Sequence, residues 1–201
     1  MEVHLKRAIL VAAACAFFFI VSNARAQQLD AGFAVSGVTA TPASSATGSF
    51  FPQNMGGGAY AGFSTDYLLR HHFGVGFEVN WRASRTNYQG VQPFRPILYD
   101  FNGVYAPPLG KRAALELQGG IGVSSTRFYQ PFFTCTFISC TNFATSNHFL
   151  GHVGGGIRFY FWHNVFLRPE AHYYAIHNNV EFAGSRVTRF GVTLGYSFRG
   201  E

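Results

Sequence analysis

The 201-residue chain carries 15 Lys and Arg against 9 Asp and Glu, a formal net charge of +6, yet only 12% of its residues are charged and 17% are aromatic. So many rings under so few charges exclude an ordinary soluble monomer whose whole surface meets water. Arginines set singly along the chain, with no nucleic-acid-binding motif, exclude a nucleic-acid partner.

Taken from the N-terminus, Lys6 and Arg7 precede an unbroken apolar run, Ala8 to Val21, and then Ala24-x-Ala26 offers a small-residue cleavage site. Those three regions predict a secretory signal peptide over residues 1–26, removed to leave a single domain over residues 27–201. The run falls short of the roughly 20 residues that a membrane-crossing helix needs.

Period-2 alternation then recurs eight times: Asp30 to Val38, Ala59 to Leu68, Phe73 to Arg82, Pro96 to Tyr105, Ala113 to Ser124, His148 to Phe161, Val165 to Ile176 and Val187 to Phe198. In FGVGFEVNWR, residues 73–82, the odd positions are Phe, Val, Phe, Val and Trp, and the even ones Gly, Gly, Glu, Asn and Arg. Successive side chains of a strand point to opposite faces, so the segment has one apolar and one small, polar or charged face. No stretch sustains a 3.6-residue period, so helix is nearly absent. Connections alternate long and short: a Ser, Thr, Gly and Pro-rich loop, then LRHH, ASRTNYQGVQPF, APPLGK, a long cysteine-bearing loop, WHN and HNNVEFAGS. An up-and-down barrel with tight turns on one rim and exposed loops on the other has this rhythm, and a Greek-key sandwich has no reason for it.

The segments GAYAGFSTDYLLRHHFGVGFEVNWRAS (58–84), FLRPEAHYY (166–174) and RFGVTLGYSF (189–198) resemble the small outer-membrane β-barrel proteins of Gram-negative bacteria, of the OmpA/OmpX-like, barrel-only type. The resemblance implies an eight-stranded antiparallel transmembrane barrel in the bacterial outer membrane, surrounded by outer-membrane lipid, monomeric and without a cofactor. It also implies that Gly191, Leu194, Tyr196 and Phe198 form the signal read by the outer-membrane insertion machinery, although Arg199, Gly200 and Glu201 follow the aromatic residue that usually ends such signals.

With the apolar side of each strand outward, Asp66, Glu78, Arg82, Asp100, Asn102, Glu116, Gln118, His148, His152, Arg158, Arg168, Glu170, His172 and Arg189 face inward, both signs in similar numbers. Eight strands enclose an interior that side chains fill, so these residues predict a paired polar plug and no open pore. Inward glycines make room for the long arginines. On this facing a charge at Val79 meets lipid, whereas the neighbouring Asn80 tolerates a polar exchange.

Sharper chemistries compete with this plug. His148 and His152 have helical zinc spacing, but on a strand their ring nitrogens stand ~13 Å apart. GHVGGG and GGIGVSS share only glycine content with phosphate-cradling loops. An envelope-lipid enzyme needs a nucleophile converging on a base and an acid, and the spacing shows none. A channel needs a surplus of one charge sign or a gap in the plug, and a lipocalin-like carrier an apolar interior. Cys135 and Cys140 predict a disulfide closing a small loop. Phe132, Phe133, Phe137 and Ile138 around it are candidates for contact with an extracellular partner, beside the blander reading that they extend the aromatic girdle. The sequence thus predicts a non-enzymatic barrel with a structural or surface-interaction role carried by its loops.

Overall fold

In a computed structural model, the described residues are 28–40, 55–70, 72–88, 90–135, 140–179, 181, 182 and 184–199. Phe137, Ile138 and the expected signal segment 1–26 lie outside them.

The chain forms nine strands: β1 (Gln28–Ala40), β2 (Ala59–Arg70), β3 (Phe73–Arg82), β4 (Thr86–Tyr88), β5 (Gln92–Tyr105), β6 (Ala113–Cys135), β7 (Cys140–Trp162), β8 (Val165–Ile176) and β9 (Arg186–Arg199). Every pairing is antiparallel, and β9 pairs β1 while β3 pairs β5, so eight strands close into a ring. The ninth, β4, adds three residues to the edge of β5 above that ring. Closure removes every edge that would otherwise expose unpaired backbone groups to lipid.

Alternation reads out directly as burial. In β1 every second residue from Asp30 to Val38 is buried, while Phe33 and Val35 between them are about half exposed. The outward set Phe73, Val75, Phe101, Ile121, Phe149, Val153, Phe190, Leu194 and Phe198 runs around the ring, each more than half exposed. An apolar belt of this kind has hydrocarbon as its natural solvent.

Two strands depart from the predicted lengths. β6 continues past Ser124 to Cys135 and β7 begins at Cys140, eight residues before His148. Their last turns pair only with each other, because β5 leaves β6 at Phe128 and β8 leaves β7 at Leu150. The hairpin therefore stands beyond the barrel wall, where neither face is buried. Alternation, which needs one buried face, fades there. At its tip a disulfide joins Cys135 to Cys140, Cα to Cα 4.0 Å.

Candidate functional site

The barrel interior holds three stacked zones. Nearest the short turns, Glu116 on β6 binds two arginines: Arg158 Nε on Oε2 and Arg168 Nη1 on Oε1. Arg158 also donates through Nη1 to Asp30 and through Nη2 to Asp66 at 3.1 Å. Arg168 completes the zone with Nη1 to Asp66 at 3.2 Å, Nε to Glu170 Oε2 at 2.7 Å and Nη2 to Ser64 Oγ at 3.3 Å. Room for this arginine comes from Gly156, where a Cβ would stand 2.9 Å from Arg168 Cγ.

In the middle zone Arg189 donates through Nη2 to Glu78 and through Nη1 to Asn80 Oδ1 at 2.6 Å, and it lies 3.2 Å from Glu170. Asn80 in turn donates to Glu78 Oε1 at 2.9 Å. It is thus a completely buried link of the network. The expected tolerance for exchange there does not fit its two bonds. Beside it, His152 Nδ1 stands 2.7 Å from Asn102 Oδ1 and 3.4 Å from Asp100, and His152 Nε2 lies 2.7 Å from His172 Nδ1.

Glu78, His152 and His172 offer three donor atoms within 4.8 Å of one another, the composition of a metal centre. Their hydrogen bonds argue otherwise. Asn102 Oδ1 accepts from His152 Nδ1, and His152 Nε2 and His172 Nδ1 face each other across one hydrogen bond at 2.7 Å. The facing ring nitrogens of the pair thus point at each other and not at a common centre, and Arg189 already supplies the cation on Glu78.

Every inward acid and arginine of the sequence reading except Arg82 belongs to these two zones. Arg82 sits at the loop rim, its guanidinium 6.0 Å from the Phe94 ring centre, and makes no ion pair among the described residues. The charges are also not balanced as expected. Asp30, Asp66, Glu78, Asp100, Glu116 and Glu170 make six buried carboxylates against four buried guanidiniums, Arg82 included. Asp30, at the very start of β1, is the acid that the sequence reading left out.

The third zone, nearest the long connections, is apolar. Val38, Met55, Tyr60, Phe94, Leu98, Leu150, Tyr174, Ile176, Phe182 and Val187 form one buried cluster, with Tyr88 and Phe128 packed on it. Phe182 comes from the β8–β9 connection and meets the rings of Tyr88 at 5.6 Å, Phe94 at 5.2 Å and Phe128 at 6.3 Å. Its neighbour Glu181 is held from three directions. The carboxylate accepts from Ser146 and contacts His148 Nε2 at 2.6 Å, and its carbonyl accepts from the Tyr88 hydroxyl at 2.6 Å. Burial pushes the Glu181 carboxyl up, but the Ser146 hydrogen bond and the neighbouring His148 prevail and hold it below the usual carboxylate range.

Ser146, His148 and Glu181 thus converge where the sequence reading saw no convergent nucleophile. The geometry is that of a latch. Serine and carboxylate share the same ring nitrogen, Nε2, with Ser146 Oγ at 3.1 Å from it. A nucleophilic relay needs the acid on the other nitrogen, so that the imidazole can take the serine proton while remaining supported.

The remaining candidates lie outside the lumen. Phe132 and Phe133 are about two-thirds exposed on the projecting hairpin. On β9, Leu194, Tyr196 and Phe198 point outward and Gly191 inward against Ser36.

The family described as Outer membrane protein beta-barrel domain matches residues 11–198. Among solved structures the chain is similar to Neisserial surface protein A, with a TM-score of 0.60 and 10% identity over 86% of this chain and 99% of that one. The attachment invasion locus protein Ail of Yersinia pestis, in complex with the heparin analogue sucrose octasulfate, gives 0.51 and 13% over 86% and 98%. A major outer membrane protein from Thermus thermophilus gives 0.52 and 12% over 84% and 99%. At such identities the likeness is one of fold. No curated protein sequence matches the chain.

Proposed function

The chain belongs to the outer membrane protein beta-barrel domain family, and from that premise we propose that it is a closed, non-enzymatic barrel whose role is surface interaction and envelope structure through its long-connection rim. The family and its structural neighbours are bacterial outer-membrane proteins, and the outward rings fit that setting. The observation that carries the reading is the stack of three side-chain zones among the described residues of the lumen: two ionic zones, then an apolar zone that includes Phe182.

On this reading the turns face the periplasm and the four long connections face outward. Exposed Phe132 and Phe133, on a hairpin pinned by Cys135–Cys140, are the surface offered to an extracellular partner, together with Phe137 and Ile138. Gly191, Leu194, Tyr196 and Phe198 are the element offered to the insertion machinery, with the barrel acting as a monomer.

A specific observation favours one second reading. Six carboxylates against four guanidiniums leave the interior negative, which would select cations if it conducted. Planar-bilayer conductance of the refolded chain lacking residues 1–26, first shown to migrate as a heat-modifiable barrel, decides between the two. Silence supports the closed barrel; discrete cation-selective openings replace it with a narrow channel.

A further inference from the structure

The acids of this chain are concentrated inside the barrel, which leaves its outer rim basic. Six of the nine lie in the lumen, and in the sequence of the long-connection rim there is one, Glu181, already bonded to Ser146 and His148. The same rim carries Arg82, Arg85, Arg95, Arg127 and Arg186.

Two of these arginines are placed against electrostatic sense. Arg95 on β5 and Arg127 on β6 are directly opposed in the antiparallel register, both on the outward face. Like charges in that position repel and cost stability. Neither has an acid beside it among the described residues. Among the described residues Arg95 Nη2 donates to the Ala83 carbonyl alone, at 3.2 Å, and its Nε is buried without a partner. Arg127 rests its guanidinium 5.0 Å from the Phe143 ring centre, and Arg85 rests its own 3.7 Å from that of Tyr129. Arginines laid on rings keep their N–H edges free to bind an anion.

Their offset from the outward belt follows from the register. Tyr99 and Val123 are opposed in the outward belt, and Arg95 and Arg127 are opposed four residues further along the same strands. Four residues advance ~13 Å along a strand and ~10 Å along the normal at the usual barrel tilt, which carries the pair out of the belt toward the headgroup layer. Directly above lies a groove of about 510 Å³ lined by Arg85, Gln92, Pro93, Tyr129, Gln130 and Phe132 among others. Cationic, polar and aromatic side chains together fit a phosphorylated polar head.

We propose that Arg95 and Arg127, with Arg85 above them, bind the phosphate monoester of an anionic lipid headgroup in the outer leaflet, the groove receiving the rest of the head. The phosphate bridges the two guanidiniums and removes their repulsion. This deepens the outer-membrane reading and rests on it.

The test uses the refolded chain lacking residues 1–26 in phosphatidylcholine nanodiscs, accepted only after heat-modifiable migration; absence of that migration counts against the barrel reading itself. Phosphatidic acid is titrated in and retained copies are counted by native mass spectrometry. The wild type is expected to hold phosphatidic acid, Arg95→Gln/Arg127→Gln to lose about tenfold or more in affinity, and Arg186→Gln, elsewhere on the rim, to match the wild type. Retention by the double variant overturns the site. So does an equal loss in Arg186→Gln, which would mean diffuse charge attraction, or complete displacement by inorganic phosphate, which would mean a site for a free anion.

Discussion

Arg158 on β7 reaches across the lumen to Asp30 on β1, 128 residues away in sequence and on a strand that is not its neighbour in the ring. The pair is therefore a strut across the lumen between strands three apart in the ring. Removing one partner of a buried ion pair leaves an unpaired charge and costs ~3–5 kcal/mol. Arg158→Ala, which strands Asp30 and leaves Asp66 and Glu116 to Arg168 alone, should lower the urea-unfolding free energy in vesicles by about that amount. Asp66→Asn should be far milder, because both of its arginines keep Glu116. Equal losses would show that Asp66 holds the network together as much as Arg158 does.

Facing is the second testable feature. Val79 points outward and Asn80 inward, so Val79→Arg places a charge in lipid at a cost of ~2–4 kcal/mol near the midplane. Folding yield into vesicles should fall accordingly. Asn80→Leu should also destabilise, for a different reason: Arg189 loses an acceptor and Glu78 a donor. Only the second defect should be lessened by a further change of Arg189 and Glu78 to a well-packed apolar pair.

How far the sequence reached follows from the same alternation. Glu78, Glu116, Arg158, Arg168, Glu170 and Arg189 were placed inward by parity alone, and they form the network. Phe94, Leu98, Tyr60 and Tyr174 share that inward parity with Asp100, Asn102, Asp66 and His172, but their apolar character does not mark them as inward. Phase and not polarity decides facing, since an inner wall can be apolar where no charge needs a partner. Partners such as Asp30 with Arg158 were beyond reach, because they depend on the stagger of the closed ring. The Ser146, His148 and Glu181 latch joins a hairpin to a distant connection, and no local spacing encodes that contact.

That latch should respond to acid. The Glu181 carboxyl is held below the usual carboxylate range, chiefly by the Ser146 hydrogen bond and by His148 against the upward push of burial. A lowered folded value means that the stabilisation is present above the unfolded value of about 4.3 and is lost as pH falls through the folded one. A spin label at Ser185 should remain restrained at neutral pH and loosen only below about pH 4. Glu181→Gln should loosen it at neutral pH. A label that moves freely at every pH would remove Glu181 as the anchor.

The disulfide should act locally. Cys135 and Cys140 close the tip of a hairpin whose last residues pair only with each other. So short a loop gains ~2 kcal/mol in the chain-entropy picture, all of it at the tip. Cys135→Ser/Cys140→Ser should leave heat-modifiable migration unchanged and make the hairpin more sensitive to protease. A fall in the stability of the whole barrel would mean that the tip folds back on the wall.

The proposed closed barrel sets two barriers in series, and variants can separate them. Phe182 and Phe94 pack at 5.2 Å in the apolar zone, and their truncation in Phe94→Ala/Phe182→Ala removes the ring contacts that fill the loop end. Beneath them the Arg189–Glu78 and Arg158–Asp30 contacts still span the interior. Conductance should therefore stay silent in this double variant, while its loop rim becomes more mobile. Openings should require a break in the ionic zones as well, for example Arg189→Ala added to the two ring truncations. Conduction through Phe94→Ala/Phe182→Ala alone would locate the barrier in the rings and leave the ion network as the lining of a path, with its excess carboxylates facing the passing ion.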